Sequence, residues 1–246
     1  MNGLGIVAAL LAESRPLGPV SRHGAGPATL GDGTLLVVSG VGPAAAAEGA
    51  RQLLAAGARA LLSWGLAGGL DPALAAGTLV LPLEVISPEG RVSLTNSDWR
   101  ERVHRAMAAS QRISSGRLLT CREPLGSVAA KARAFREIAA VAVDMESSAV
   151  AEVASAERLP FLVVRAIVDT AQDVVPQAAL SAASAGEARP SAGRLLASLA
   201  RTPGELPAVI RLARRLRGAQ RALSAVAASG ALVPGVLRPV SVSALP

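Results

Sequence analysis

Hydrophobic positions run through this chain in two rhythms. Short continuous apolar runs, suited to strands buried on both faces, cover Leu4–Ala9, Leu35–Ser39, Ala60–Trp64, Thr78–Glu84, Gly116–Thr120, Val141–Asp144 and Phe161–Val168. Between them lie stretches with helical spacing: Pro43–Ala56, Ser97–Ala109, Val128–Ile138, Met145–Ala156 and Ala192–Arg201. Pro43 fits the first turn of its helix, where a missing N–H costs nothing. The alternation predicts an α/β fold, with a mixed, mostly parallel central sheet flanked by helices on both faces.

From about Ala178 the pattern changes. Residues 178–192 are rich in Ala, Ser and Gly and read as a loop or a flexible crossing. Residues Leu206–Leu223 then form a basic amphipathic helix: Val209, Leu212, Leu216 and Leu223 share a face, and Arg211, Arg214, Arg215 and Arg217 spread over the rest. Such a helix either packs on the domain with its arginines solvated or lies on an anionic membrane surface. The stretch 229–246, with Pro234, Pro239 and Pro246, reads as a disordered tail.

Polar residues matter most where they break an apolar run. Asp144 and Glu146 sit at the end of one predicted strand, Asp169 ends another, and Arg165 lies inside the second. A carboxylate at a buried strand end costs desolvation energy unless it is paired or used. In open α/β sheets, that strand end is also where ligands bind. Two glycine clusters follow strands as well: Ser39-Gly40-Val41-Gly42-Pro43, and Gly65-Leu66-Ala67-Gly68-Gly69-Leu70-Asp71-Pro72. Each permits close backbone approach to a ligand or simply makes a tight turn. The first lacks the third glycine of a dinucleotide fingerprint, and no Gly-Lys-Ser/Thr follows either, so an NAD site is weakly supported and a P-loop is not.

Composition narrows the function classes. The formal charge is +7, yet there are only two Phe, two Trp and no Tyr, which removes the stacking platforms of single-stranded nucleic-acid binders. No helix-turn-helix or zinc pattern appears, so nucleic acid is not expected as a partner. Cys121 is alone and only His23 and His104 are present, so neither an internal disulfide nor a metal cluster is expected. The apolar N-terminus has no basic start and is broken by Glu13 and Arg15, and no apolar run reaches the ~20 residues of a membrane span. A cytoplasmic protein is expected. Lys131 is the only lysine; every other basic residue apart from the histidines is arginine.

Taken together these motifs resemble the purine nucleoside phosphorylase and methylthioadenosine/S-adenosylhomocysteine nucleosidase superfamily. The matching order is Glu13 after the first strand, Ser-Gly-Val-Gly at 39–42, Gly-Leu-Ala-Gly-Gly-Leu-Asp-Pro at 65–72, Gly77 before a strand, Asp-Met-Glu-Ser at 144–147 and Arg-Ala-Ile-Val-Asp at 165–169. The chain also resembles the hopanoid-associated phosphorylases. They share the Val-Asp-Met-Glu-Ser core and a C-terminal Leu-Ala-Ser-Leu…Pro…Leu-Pro…Arg-Leu-Ala-Arg segment, here Leu196–Arg214. The resemblance implies a three-layer phosphorylase/hydrolase-like catalytic domain over 1–177, followed by a linker and C-terminal helical extension over 178–228.

It also implies cleavage of the N-glycosidic bond of an adenine nucleoside, with no cofactor. In such families the acid matching Asp169 protonates, or hydrogen-bonds to, N7 of the departing adenine, and the glutamate matching Glu146 accepts bonds from the ribose diol. Met145 would lie against the sugar, although plain core packing explains it equally well. Glu13 matches the position that activates water, with Arg165 orienting the nucleophile. Gly65, Leu66, Ala67, Gly68, Gly40 and Gly42 match substrate-binding loops, and the anion-friendly loop at Gly40–Gly42 leaves phosphate open as a co-substrate.

Three residues depart from the nucleosidase pattern. Leu66 replaces a serine that contacts the nucleophile, Val168 a serine before the catalytic acid, and Gln172 a second aspartate after it. Between Thr120 and Lys131 no motif matches, and Cys121 and Arg122 are expected to border the pocket. The closer resemblance implies adenosylhopane, a lipid carrying adenosine, as substrate, and peripheral membrane contact through the basic helix at the inner face. The alternatives are small 5′-modified adenosines such as methylthioadenosine, or a non-catalytic nucleoside binder. A homo-oligomer is implied by resemblance alone.

Overall fold

The computed structural model describes residues 3–18, 26–182 and 187–234. Its sheet contains β1 (Leu4–Ala8), β2 (Ala28–Thr29), β3 (Leu35–Val38), β4 (Ala60–Gly69), β5 (Leu79–Val80), β6 (Glu84–Ile86), β7 (Val92–Leu94), β8 (Ile113–Ser114), β9 (Arg117–Thr120), β10 (Ala140–Asp144) and β11 (Phe161–Asp169). The helices are α1 (Leu11–Ser14), α2 (Pro43–Ala55), α3 (Ser97–Met107), α4 (Val128–Ile138), α5 (Ser147–Ala156), α6 (Gln177–Ala182), α7 (Ala192–Arg201) and α8 (Leu206–Ala228). Strand order is β2-β3-β1-β4-β10-β9-β6-β7, with β11 laid between β4 and β5 and β8 beyond β5. Pairing is mixed, as the alternation of elements predicts.

The sheet forks at β4. Its first half runs parallel to β1, from Ala60 beside Leu4 to Trp64 beside Ala8. It is also parallel to β11 from Leu61 to Gly68, and its last two residues pair antiparallel with β10. Gly68 therefore stands between Asp169 of β11 and Val143 of β10. That register brings the two acid-bearing strand ends together.

Alternation along the strands builds a core on each face. Leu62, Trp64, Leu162 and Val164 point to one side, where Trp99, Val103 and Met107 of α3 meet Ala219, Leu223 and Val226 of α8. Leu61, Val163 and Ile167 point to the other, against Ala46, Ala50 and Leu53 of α2 and Val150, Ala151 and Ala154 of α5. The scarcity of aromatics is met by small residues: a Cβ on Gly49 of α2 would lie 3.0 Å from Val37 Cγ1, a close helix–sheet approach.

Several expected boundaries move. The second glycine cluster is not a loop at first, because β4 continues through Gly65–Gly69 and has strand partners on both sides there. Thr78–Glu84 splits into β5 and the start of β6. The Ala/Ser/Gly-rich stretch opens with α6 rather than a loop. Helix α8 is no appendage: its C-terminal half shares the buried core with the sheet, so a boundary at residue 177 does not separate two cores. Residues 229–234, placed by composition in the tail, pack back. Ala231 and Leu232 are buried and Trp99 Nε1 donates to Leu232 O at 3.0 Å. Residues 235–246 of the expected tail lie outside the described residues, as does His23. No helix of the described residues is long and apolar enough to cross a membrane.

Candidate active site

A cavity of about 200 Å³ opens at the carboxyl ends of β1, β4, β10 and β11. Its wall includes Glu13, Leu66, Ala67, Gly68, Met145, Glu146 and Asp169, all expected from the sequence. Val41, Val143, Val168 and Val175 make much of the apolar remainder.

Glu13 arrives on α1, the short helix that follows β1. Trp64 Nε1 donates to Glu13 O at 2.8 Å and ties this helix to β4. The carboxylate is gripped by backbone amides: Oε1 accepts from Leu66 N at 2.8 Å, and Oε2 from Leu10 N at 2.9 Å and Ala9 N at 3.1 Å. Burial pushes its pKa above the usual range, and Arg165 and the three amides pull against that rise. Leu66 thus lacks the serine hydroxyl of the nucleosidases but holds Glu13 through its N–H.

Arg165 lies beneath the cavity, only 1 % exposed and absent from the lining. Its Nη2 pairs with Asp144 Oδ2 at 2.7 Å and Glu146 Oε2 at 3.4 Å, and donates to Ser63 Oγ at 2.9 Å and Ser147 Oγ at 3.3 Å. Its Nη1 donates to Leu66 O at 3.4 Å. A direct hold on the nucleophile is therefore replaced by support from below. Asp144 serves α5 and Arg165 together. It accepts from Ser147 N at 3.1 Å, which starts α5, and also neutralises Arg165.

Glu146 leads into α5. Its Oε1 accepts from Gly42 N at 3.0 Å and its Oε2 from Met145 N at 3.4 Å. Burial, opposed by Arg165 and reinforced by Asp144 and Glu13, raises its pKa to about 7. Of the Gly40–Gly42 loop only Val41 lines the cavity; Gly40 and Gly42 do not. Its amides are engaged elsewhere: Gly40 N to Ala9 O, Val41 N to Glu187 O, and Gly42 N to Glu146. Gly65 is likewise a support, lying under Glu13 and Arg165 where a Cβ would come within 2.5 Å of Glu13 Oε1.

Asp169 ends β11 and faces the cavity from beside Gly68. Its Oδ2 receives a short hydrogen bond from Lys131 Nζ, a contact the sequence did not foreshadow. Burial raises its pKa, with Lys131 and then Arg215 opposing. Cys121 and Arg122 do not border the cavity; Glu123, Pro124 and Leu125 do, while Arg122 is an exposed partner of Glu89. Gln172 is exposed and its amide reaches Pro72 O at 3.4 Å, whereas Val168 lines the cavity.

The site thus offers three separate carboxyls around one apolar cavity, each with a raised pKa. The charged side chains among its described lining residues, Glu13, Glu123, Asp144, Glu146 and Asp169, are all acids. Among the described lining residues there is no arginine or lysine to clamp an anion.

Comparison with known proteins agrees with this fold. The sequence profile of the phosphorylase superfamily matches residues 3–201. No curated protein matches the chain. Among solved structures, the 5′-methylthioadenosine/S-adenosylhomocysteine nucleosidase of Neisseria meningitidis, in complex with methylthio-immucillin-A, is 19% identical. It superposes with a TM-score of 0.66 over 92% of this chain and 96% of its own. The Helicobacter pylori nucleosidase of the same name gives 17% identity and a TM-score of 0.65 over 91% and 96%. Futalosine hydrolase of Helicobacter pylori gives 17% and 0.64 over 91% and 96%. At these identities the likeness shows the fold.

Proposed function

Since the chain belongs to the phosphorylase superfamily, we propose that it cleaves the N-glycosidic bond of an adenine nucleoside, with water as the nucleophile. The observation that carries the choice of water is the acid-only lining, together with the engaged amides of Gly40–Gly42. A phosphate needs converging donors, which arginines and free loop amides would supply.

In this reaction Glu146 accepts hydrogen bonds from the vicinal ribose hydroxyls while Met145 lies against the sugar. Asp169 passes a proton to N7 of adenine as the C1′–N9 bond breaks and its electron pair leaves with the base. The sugar then carries oxocarbenium character, which the surrounding carboxylates stabilise. Glu13 takes a proton from water as the water oxygen bonds to C1′, and that proton later returns to solvent. Its raised pKa makes it a better base than an exposed glutamate. Arg165 keeps Asp144 and Glu146 in place.

The nucleoside proposed is a lipid-linked adenosine, adenosylhopane, handled at the inner membrane face by an otherwise cytoplasmic protein. Support comes from the C-terminal segment that resembles the hopanoid-associated phosphorylases. Leu196, Leu206 and Ile210 of that segment are exposed, as is Val174, neighbour of the cavity-lining Val175. Small 5′-modified adenosines are the competing substrates. Adenine release from both, with and without phosphate, tests all of this once the sugar product is identified. Free ribosyl product without phosphate is expected; strict phosphate dependence would remove Glu13 from its role.

A further inference from the structure

Lys131 occupies a position where a lysine is costly. It shares one face of α4 with Ala134, Phe135 and Ile138, at spacings of three, four and seven, and its side chain is completely buried. A buried ammonium is tolerated only when its donors are satisfied and its charge is paired. Here all three donors are used: one on Asp169 Oδ2, one on Thr170 O at 2.9 Å and one on Asp173 O at 3.0 Å.

The loop that supplies these carbonyls is itself fixed. Asp173 Oδ2 accepts from Thr170 N at 2.8 Å and Thr170 Oγ1 at 2.6 Å, and is paired with Arg215 of α8. The other charged groups around Asp169 are Arg211, Arg215 and Asp173 on one side and, across the cavity, Glu123, Asp144, Glu146 and Glu13. Its β4 neighbour is the uncharged Gly68.

We propose that Lys131 is a positioning residue for Asp169, holding Oδ2 so that a proton carried by this acid resides on Oδ1 and is presented to the leaving base. An ammonium has donors only, and a hydroxyl oxygen accepts more weakly than a carbonyl oxygen, so the bond favours the proton on Oδ1. The same bond fixes the carboxyl's rotation, and general-acid transfer depends on such placement. Lys131 also favours the ionised acid while burial opposes it, so the pair sets where Asp169 titrates.

This inference rests on the role of Asp169 in the proposed reaction. Lys131→Met keeps length and loses charge; Lys131→Gln is the second neutral variant should the first not fold; Lys131→Arg keeps the charge. Two measurements judge them: steady-state adenine release, and titration of the Asp169 carboxyl by ¹³C NMR, its signal assigned by loss in Asp169→Asn. In a folded neutral variant the carboxyl should titrate at higher pH, and kcat should fall at least about tenfold with KM little changed. Lys131→Arg should keep the titration near that of the native chain. A folded neutral variant with unchanged titration or unchanged kcat overturns the proposal. If the native chain releases no adenine from any nucleoside, the proposed reaction fails, and the carboxyl titration still judges the pairing.

Discussion

At the residue scale, three acids are held apart by what touches them. Glu13 is set by three amides, Glu146 by Gly42 N and Arg165, and Asp169 by Lys131. Asp169→Asn cannot protonate the base, so adenine release should fall about 100-fold or more while nucleoside binding persists, seen by calorimetry beside a rate assay. Glu13→Gln should lose a similar factor of about 100 in kcat. Glu146, raised to about 7, must be ionised to accept the diol. KM for the nucleoside should therefore climb as pH falls below about 7, and a pH series of KM checks it. The folded chain holds a proton on Glu146 between the ordinary glutamate range and about 7 that the unfolded chain has released, so stability declines as pH rises through that window. Melting curves at pH 5 and pH 8 should show Glu146→Gln losing less over the interval than the native chain. These acids were legible because each interrupts an apolar run at a strand end. Lys131 was not, since a lone lysine reads as composition until its helical face is drawn and found otherwise apolar. The amides of Gly40 and Gly42 were misread because glycine shows that a backbone can approach a ligand, not which way its N–H points.

At the element scale, the forked strand β4 is the device that assembles the site. Gly68 separates the ends of β10 and β11, and a Cβ there would lie 3.2 Å from Asp169 Oδ2 and 3.3 Å from Val143 Cγ1. Gly65 is tighter, with Glu13 Oε1 at 2.5 Å and Arg165 Nη1 at 2.6 Å from a built Cβ. Gly65→Ala must displace the carboxylate or the guanidinium. Adenine release should drop about 100-fold, the scale of an ångström misplacement, while circular dichroism still reports the folded sheet. An unchanged rate would show that Glu13 can shift without consequence. Strands β1, β3, β9, β10 and β11 and helices α2, α3 and α4 were readable from periodicity to within a residue or two, whereas β4 runs five residues past its expected end because its glycines pair with β10 and β11. The two-residue strands β2 and β8 were not, because so short a run carries no period of its own and exists only by pairing with neighbours.

At the scale of the whole molecule, α8 closes one face of the sheet and reaches the loop after β11. Buried Ala219, Ala222, Leu223 and Val226 complete the core around Trp99, and Arg215 pairs with Asp173. Removing residues 206–246 should therefore leave a chain that does not melt cooperatively, whereas a merely appended helix would come off with little change in melting temperature. Arg211, Arg214, Arg217 and Arg221 remain exposed. The sequence could not divide these roles, since one amphipathic pattern serves a core and a membrane alike. A different consequence follows from the acid-only wall of the cavity. Phosphorylated adenosines offer the same base and sugar as free adenosine. A phosphate at the 5′ end would enter a cavity whose charged lining side chains, among the described residues, are all acids. In the proposed reaction such a wall would disfavour phosphorylated adenosines and admit uncharged relatives.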